Sequence, residues 1–144
     1  MNMLTHLVDY GIIGILTLLS IIAVAISIER FSFYKKIDTG SYITVQELES
    51  ALTSRLHLVA IIGSNAPYIG LLGTVLGIMQ TFYSMGNNGT TNVNDIMAGL
   101  ALALKATAAG LLVAIPSIVL YNILHRRVNV LILKREAENE RQKL

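Results

Sequence analysis

Residues Met97–Asn122 read MAGLALALKATAAGLLVAIPSIVLYN. As a helix these 26 residues rise about 1.5 Å each and reach roughly 39 Å, enough to cross an apolar bilayer core of about 30 Å. Lys105 is the one charge well inside the stretch, and a charge at membrane depth is costly enough to mark a functional position by default. Gly99, Ala103, Ala106, Thr107, Gly110 and Ala114 add a wide face of small residues with one hydroxyl, the composition that lets membrane helices approach closely. This segment predicts a membrane helix built to pack on other helices.

Composition points the same way. The 144 residues are 53% hydrophobic and 14% charged, with a mean hydropathy of +0.62, too little polar surface for an ordinary soluble domain of this length. With no cysteine, disulfides, thiolate metal sites and cysteine nucleophiles are excluded. His6, His57 and His125 are far apart and lie at or beyond the ends of the apolar runs, so they predict no metal site. No cofactor is expected.

Upstream, Tyr10–Ile28 is a run of 19 residues without charge, closed by Glu29, Arg30 and the aromatics Phe31, Phe33 and Tyr34, and predicts a first span. Ala23-Val24-Ala25 resembles a signal-cleavage site, but no Lys or Arg precedes the run, so it reads as mature structure. From Lys35 to His57 the chain is polar, with Val45, Leu48, Leu52 and Leu56 at helical spacing, which predicts an amphipathic helix leading into the next span. Ser64 and Asn65 before Pro67 predict a break or kink. A second span then covers 67–85, where Gly70, Thr74, Gly77 and Thr81 fall on one helix face. That face serves either close packing, with the threonines bonded to their own helix, or a polar lining.

Gly86–Asp95 is turn-rich, and its Asn88-Gly89-Thr90 match to the glycosylation pattern is common by chance. Asp95 can cap the third helix or complement its dipole. After the third span, 97–122, a basic and then mixed-charge tail of about 125–144 can continue the helix into water. Of 11 Lys and Arg residues, Arg30, Lys35, Lys36 and Arg55 separate spans one and two, and Arg126, Arg127, Lys134, Arg135, Arg141 and Lys143 follow span three. The positive-inside rule therefore places the segment of about 30–62 and the tail in the cytoplasm and the N-terminus outside. The fold expected is a single all-α membrane domain over 1–144, three spans with cytoplasmic helical extensions. Nucleotide-binding, zincin and hydrolase motifs are absent, and no two carboxylates share a span, so enzyme chemistry has no residues to rest on.

Two blocks, IGSNAPYIGLLGTVLGIM at 62–79 and KATAAGLLVAIP at 105–116, together with the Glu29-Arg30 pair, resemble the MotA/TolQ/ExbB proton-channel family, most closely its compact ExbB form. The resemblance implies a multi-pass protein of a bacterial inner membrane, with periplasmic N-terminus and cytoplasmic C-terminus. It further implies a ring-shaped homo-oligomer, a pentamer, around the spans of an ExbD-like partner, energising a TonB-like protein. By the resemblance Thr74 and Thr107 line the inside of the ring, while Gly70, Gly73, Gly77, Gly110, Pro67 and Pro116 read as helix-packing positions.

The chain departs from the family in two ways. Its cytoplasmic segment is short, and the glutamate the family commonly carries five residues before the span-three threonine is Leu102 here. Lys105 lies three residues further, about 60° round the helix from Leu102. Lys105 and Thr107 are about 160° apart on an ideal helical wheel, so a pore-facing Thr107 leaves Lys105 for a contact with a neighbouring subunit or a phospholipid, or for snorkelling to the outer headgroups. With no acid inside the spans, the proton carrier is expected on a partner. The competing readings are a TolQ-like subunit for envelope maintenance and a passive scaffold, which explains the small-residue faces but not the lysine.

Overall fold

The computed structural model describes residues 3–89 and 92–144, as four helices: α1 (Met3–Lys36), α2 (Val45–Thr53), α3 (Leu56–Asn88) and α4 (Val93–Gln142). Thr90 and Thr91, and with them part of the expected loop and of the Asn88-Gly89-Thr90 pattern, lie outside the described residues. Three of the helices, α1, α3 and α4, are long and apolar enough to cross a membrane. The chain is an all-helical, multi-pass membrane protein. At 50 residues, α4 is about 75 Å long, so its charged end extends well past any bilayer core.

The longest shared surface is between α3 and α4, which run antiparallel. Gly63 of α3 lies against Ser117 and Ile118 of α4, Gly70 against Ala106 and Gly110, and Gly77 against Ala103. α1 seats on this pair, with Ile12, Leu16, Ala66, Ala106 and Ala114 forming one buried cluster and Ala23, Ile26, Val59 and Ile62 the next. Ile12 and Ala106 both approach Gly73, so α1 and α4 run in the same direction.

A third cluster, outside the spans, is built from Tyr34, Leu48, Leu52, Leu56, Leu124 and Val128. Here α2 lies in the corner between the end of α1 and the extension of α4. Its amphipathic spacing puts Leu48 and Leu52, both 0% exposed, on the covered face, a burial worth about 1.5–3 kcal/mol per leucine. Thr44 caps the helix by accepting from the Glu47 N–H, while the Glu47 carboxylate accepts from the Ile43 N–H, a close relative of the capping box.

Two local expectations are corrected, and one that left two roles open is decided. The chain does not break at Ser64–Pro67; α3 starts at Leu56 and runs through Pro67, eleven residues before the expected start of span two. The Ser64 hydroxyl and the Asn65 amide both donate to the Ile61 carbonyl inside the helix. Membrane helices tolerate an internal proline when neighbouring helices hold both sides of it, and here Gly63 and Gly70 are pressed on α4 on either side. The break falls earlier, at Arg55, which adopts φ 62, so the amphipathic helix ends at Thr53 instead of running on into the span. Lastly, α4 is capped by Asn92, whose side chain accepts from the Asn94 N–H, while Asp95 sits in its first turn and complements the dipole.

Candidate functional site

The site is built at the α3–α4 crossing. Two glycines set the distance between the helices: a Cβ on Gly70 would stand 2.7 Å from the Ala106 carbonyl oxygen, and one on Gly110 2.7 Å from the Ala66 carbonyl oxygen. Both obstacles are backbone, so only glycine permits this approach. Gly73 and Gly77 continue the contact, their virtual Cβ atoms 2.6 Å and 2.8 Å from the methyls of Ala106 and Ala103. The face carrying Gly70, Thr74, Gly77 and Thr81 is therefore turned toward α4 of its own chain. Pro67 is half-buried and Pro116 exposed.

One turn from the crossing the two threonines meet. Thr74 is 8% exposed, and its Oγ1 lies 3.1 Å from the Ala103 carbonyl oxygen and 3.3 Å from that of Gly70. The same oxygen is hydrogen-bonded to the Thr107 hydroxyl. Thr107 is half-buried and is the more accessible of the two. Thr81 donates back to the Gly77 carbonyl and takes no part.

A hydroxyl pair can run in either direction because each oxygen donates once and accepts twice. When Thr74 donates to Ala103, Thr107 donates to Thr74 and offers only lone pairs outward. When Thr74 donates to Thr107, Thr107 is free to donate outward. The pair can thus meet an ionised or a protonated carboxyl from outside the chain. Among the described residues the spans offer no acid beside it.

Lys105 is not part of this arrangement. It is exposed, one turn before Ala109 on the same face of α4, and Leu102 is half-buried. Sequence reasoning overlooked a second polar centre, at the C-terminal end of α1. Arg30, 7% exposed, donates to the Ala51 carbonyl and to Glu29, and its guanidinium lies 4.8 Å from the Phe33 ring centroid. The Tyr34 hydroxyl donates to the Leu52 carbonyl at 2.6 Å. These two side chains satisfy the free carbonyls at the end of α2. The available signal was the Glu29-Arg30 pair ending an apolar run, since a buried arginine needs acceptors.

A model of the MotA/TolQ/ExbB proton channel family matches residues 34–137, the stretch that holds both threonines, Lys105 and the whole glycine crossing. The chain belongs to that family. Among relatives, the biopolymer transport protein ExbB of Aquifex aeolicus is 50% identical over 137 residues, 95% of this chain and 93% of that protein. A putative biopolymer transport protein ExbB-like 2 of Helicobacter pylori is 56% identical over 129 residues, covering 90% and 86%. The biopolymer transport protein ExbB of the same species is 49% identical over 131 residues, 91% and 90%. This member of the MotA/TolQ/ExbB family is an ExbB-like membrane subunit of an energy-coupling complex.

Proposed function

We propose that the chain forms a pentameric ring in a bacterial inner membrane, with its N-terminus in the periplasm, around the spans of an ExbD-like partner. In this reading proton flow through the complex drives work on a TonB-like protein. The observation that carries it is the Thr74–Thr107 pair, a reversible hydroxyl couple that joins buried Thr74 to half-buried, partly accessible Thr107. A proton path needs a titratable carrier; the partner supplies it as a carboxylate, and Thr107 hydrogen-bonds that group in both of its protonation states. The distribution of basic residues supports the orientation. Near-complete coverage of relatives named biopolymer transport protein supports the task.

The test uses liposomes holding either the chain alone or the chain with its co-expressed single-span partner, with dissipation of an imposed pH gradient as the readout. The chain alone holds the gradient and the complex releases it. Thr107→Val keeps the shape and the oligomer by size-exclusion chromatography, yet lowers the flux by about tenfold or more, as expected for the loss of a hydrogen bond to a charged group. Flux through the chain alone equal to that of the complex, or an undiminished Thr107→Val complex, overturns the reading.

A further inference from the structure

We propose that Lys105 pairs with Asp9 of the same chain, fastening the outer end of α1 to α4. A cavity of about 310 Å³ separates these helices, lined by Ile13, Leu16, Thr17 and Ser20 from α1 and by Ala109 and Val113 from α4, among others. Ile13 and Ala109, and likewise Thr17 and Val113, are separated by 96 positions in the sequence, and so are Asp9 and Lys105. Because the two helices run the same way, stepping back one turn from Ile13 and from Ala109 arrives at Asp9 and Lys105 on the two walls of the same groove. Ile12 and Ala106, which both approach Gly73, are 94 positions apart and place the two helices within two residues of that register.

Depth agrees with the pairing. Asp9 lies 20 residues before Glu29, and Lys105 lies 20 before His125, about 30 Å in each helix, so the two charges stand at similar heights above the polar ends of α1 and of the α4 span. Asp9 is half-buried and Lys105 exposed. Among the described residues neither is within ion-pair distance of another charge, since both such pairs belong to Glu29. Charges at membrane depth pair with one another, and the flexible lysine stem spans the groove mouth by a change of rotamer.

The pair completes the anchoring of α1. At the cytoplasmic end Arg30 and Tyr34 bond to α2, and Glu29 to Arg55. Among the described residues, no side-chain hydrogen bond joins the outer two-thirds of α1 to α3 or α4. Asp9–Lys105 is the missing outer fastening. The inference concerns how α1 docks and stands apart from the proton path.

Two measurements on the assembled protein test it. With no native cysteine, Asp9→Cys with Lys105→Cys is treated with a short bis-maleimide, because a disulfide needs Cα atoms within about 7 Å and the lysine stem spans more; the link is expected within one chain, seen by mass spectrometry as a bridged chain without a dimer band. A ladder of cross-linked chains would assign Asp9 to a neighbour's lysine, and no link at all would separate the two residues; either sinks the proposal. Second, Asp9→Asn and Lys105→Met are each expected to lower the melting temperature of the detergent-solubilised complex by about 3 °C or more. The double variant melts no lower than the worse single one, and the swap Asp9→Lys with Lys105→Asp recovers most of the loss, with or without added phosphatidylglycerol. Additive losses, or a Lys105→Met effect seen only with that lipid, refute the pairing and leave the lysine to a phosphate.

Discussion

Substituting Gly110 by alanine probes the crossing on which the site depends. The added methyl would stand 2.7 Å from the Ala66 carbonyl oxygen and 3.0 Å from the Gly70 Cα. Both neighbours are backbone atoms of a facing helix, so no rotamer change relieves the clash. Restoring an ordinary contact of 3.4 Å from the carbonyl oxygen requires α3 and α4 to part by about 0.7 Å, which loosens the Gly73–Ala106 and Gly77–Ala103 contacts along with it. Overpacking of this kind costs about 1–3 kcal/mol, between about fivefold and two-hundredfold in the folded population. Gly14→Ala is the matched control, since nothing lies within 4 Å of its virtual Cβ, and intrinsic helix preference there favours alanine by up to about 1 kcal/mol. Unfolding in mixed micelles, followed by helix signal against denaturing detergent, separates the two. Gly110→Ala is expected to shift the midpoint well below that of the parent chain and Gly14→Ala to leave it unchanged or raised. Equal midpoints for Gly110→Ala and the parent chain would show that the close approach is not what holds the helices together.

Two further outcomes follow from the same geometry. Tyr34→Phe leaves the Leu52 carbonyl without its donor, so it should cost about 1–3 kcal/mol and speed hydrogen exchange of the α2 amides, while exchange across the α3–α4 crossing stays as in the parent; unaltered exchange in α2 would remove Tyr34 from its anchoring role. For orientation, Gly86→Cys should react with an impermeant maleimide from the periplasmic side and Glu140→Cys only after the inner membrane is opened, and the reverse pattern would invert the topology.

The apolar lengths, the helical spacing and the placement of basic residues are properties of neighbouring positions in the chain, and so three spans, an amphipathic α2 and a long charged tail could be read from them directly. The stripe of Gly70, Thr74, Gly77 and Thr81 was legible as a stripe for the same reason. Its direction was not, because small residues suit a helix neighbour and a pore lining equally; only the approach of Ala103, Ala106 and Gly110 turns it toward α4 and leaves Thr107 as the more accessible hydroxyl. The proline's local cost argues for a break or a kink, and contacts made by Gly63 and Gly70 with residues far along the chain keep α3 helical through it. Arg30 and Tyr34 read only as the end of a span, since nothing near them in sequence announces the α2 carbonyls. Sequence alone determined which segments enter the membrane, because that depends on length and local polarity. Tertiary structure decided which hydroxyls meet and which glycines the crossing requires, because both depend on the register between helices whose contacting residues lie far apart in the sequence.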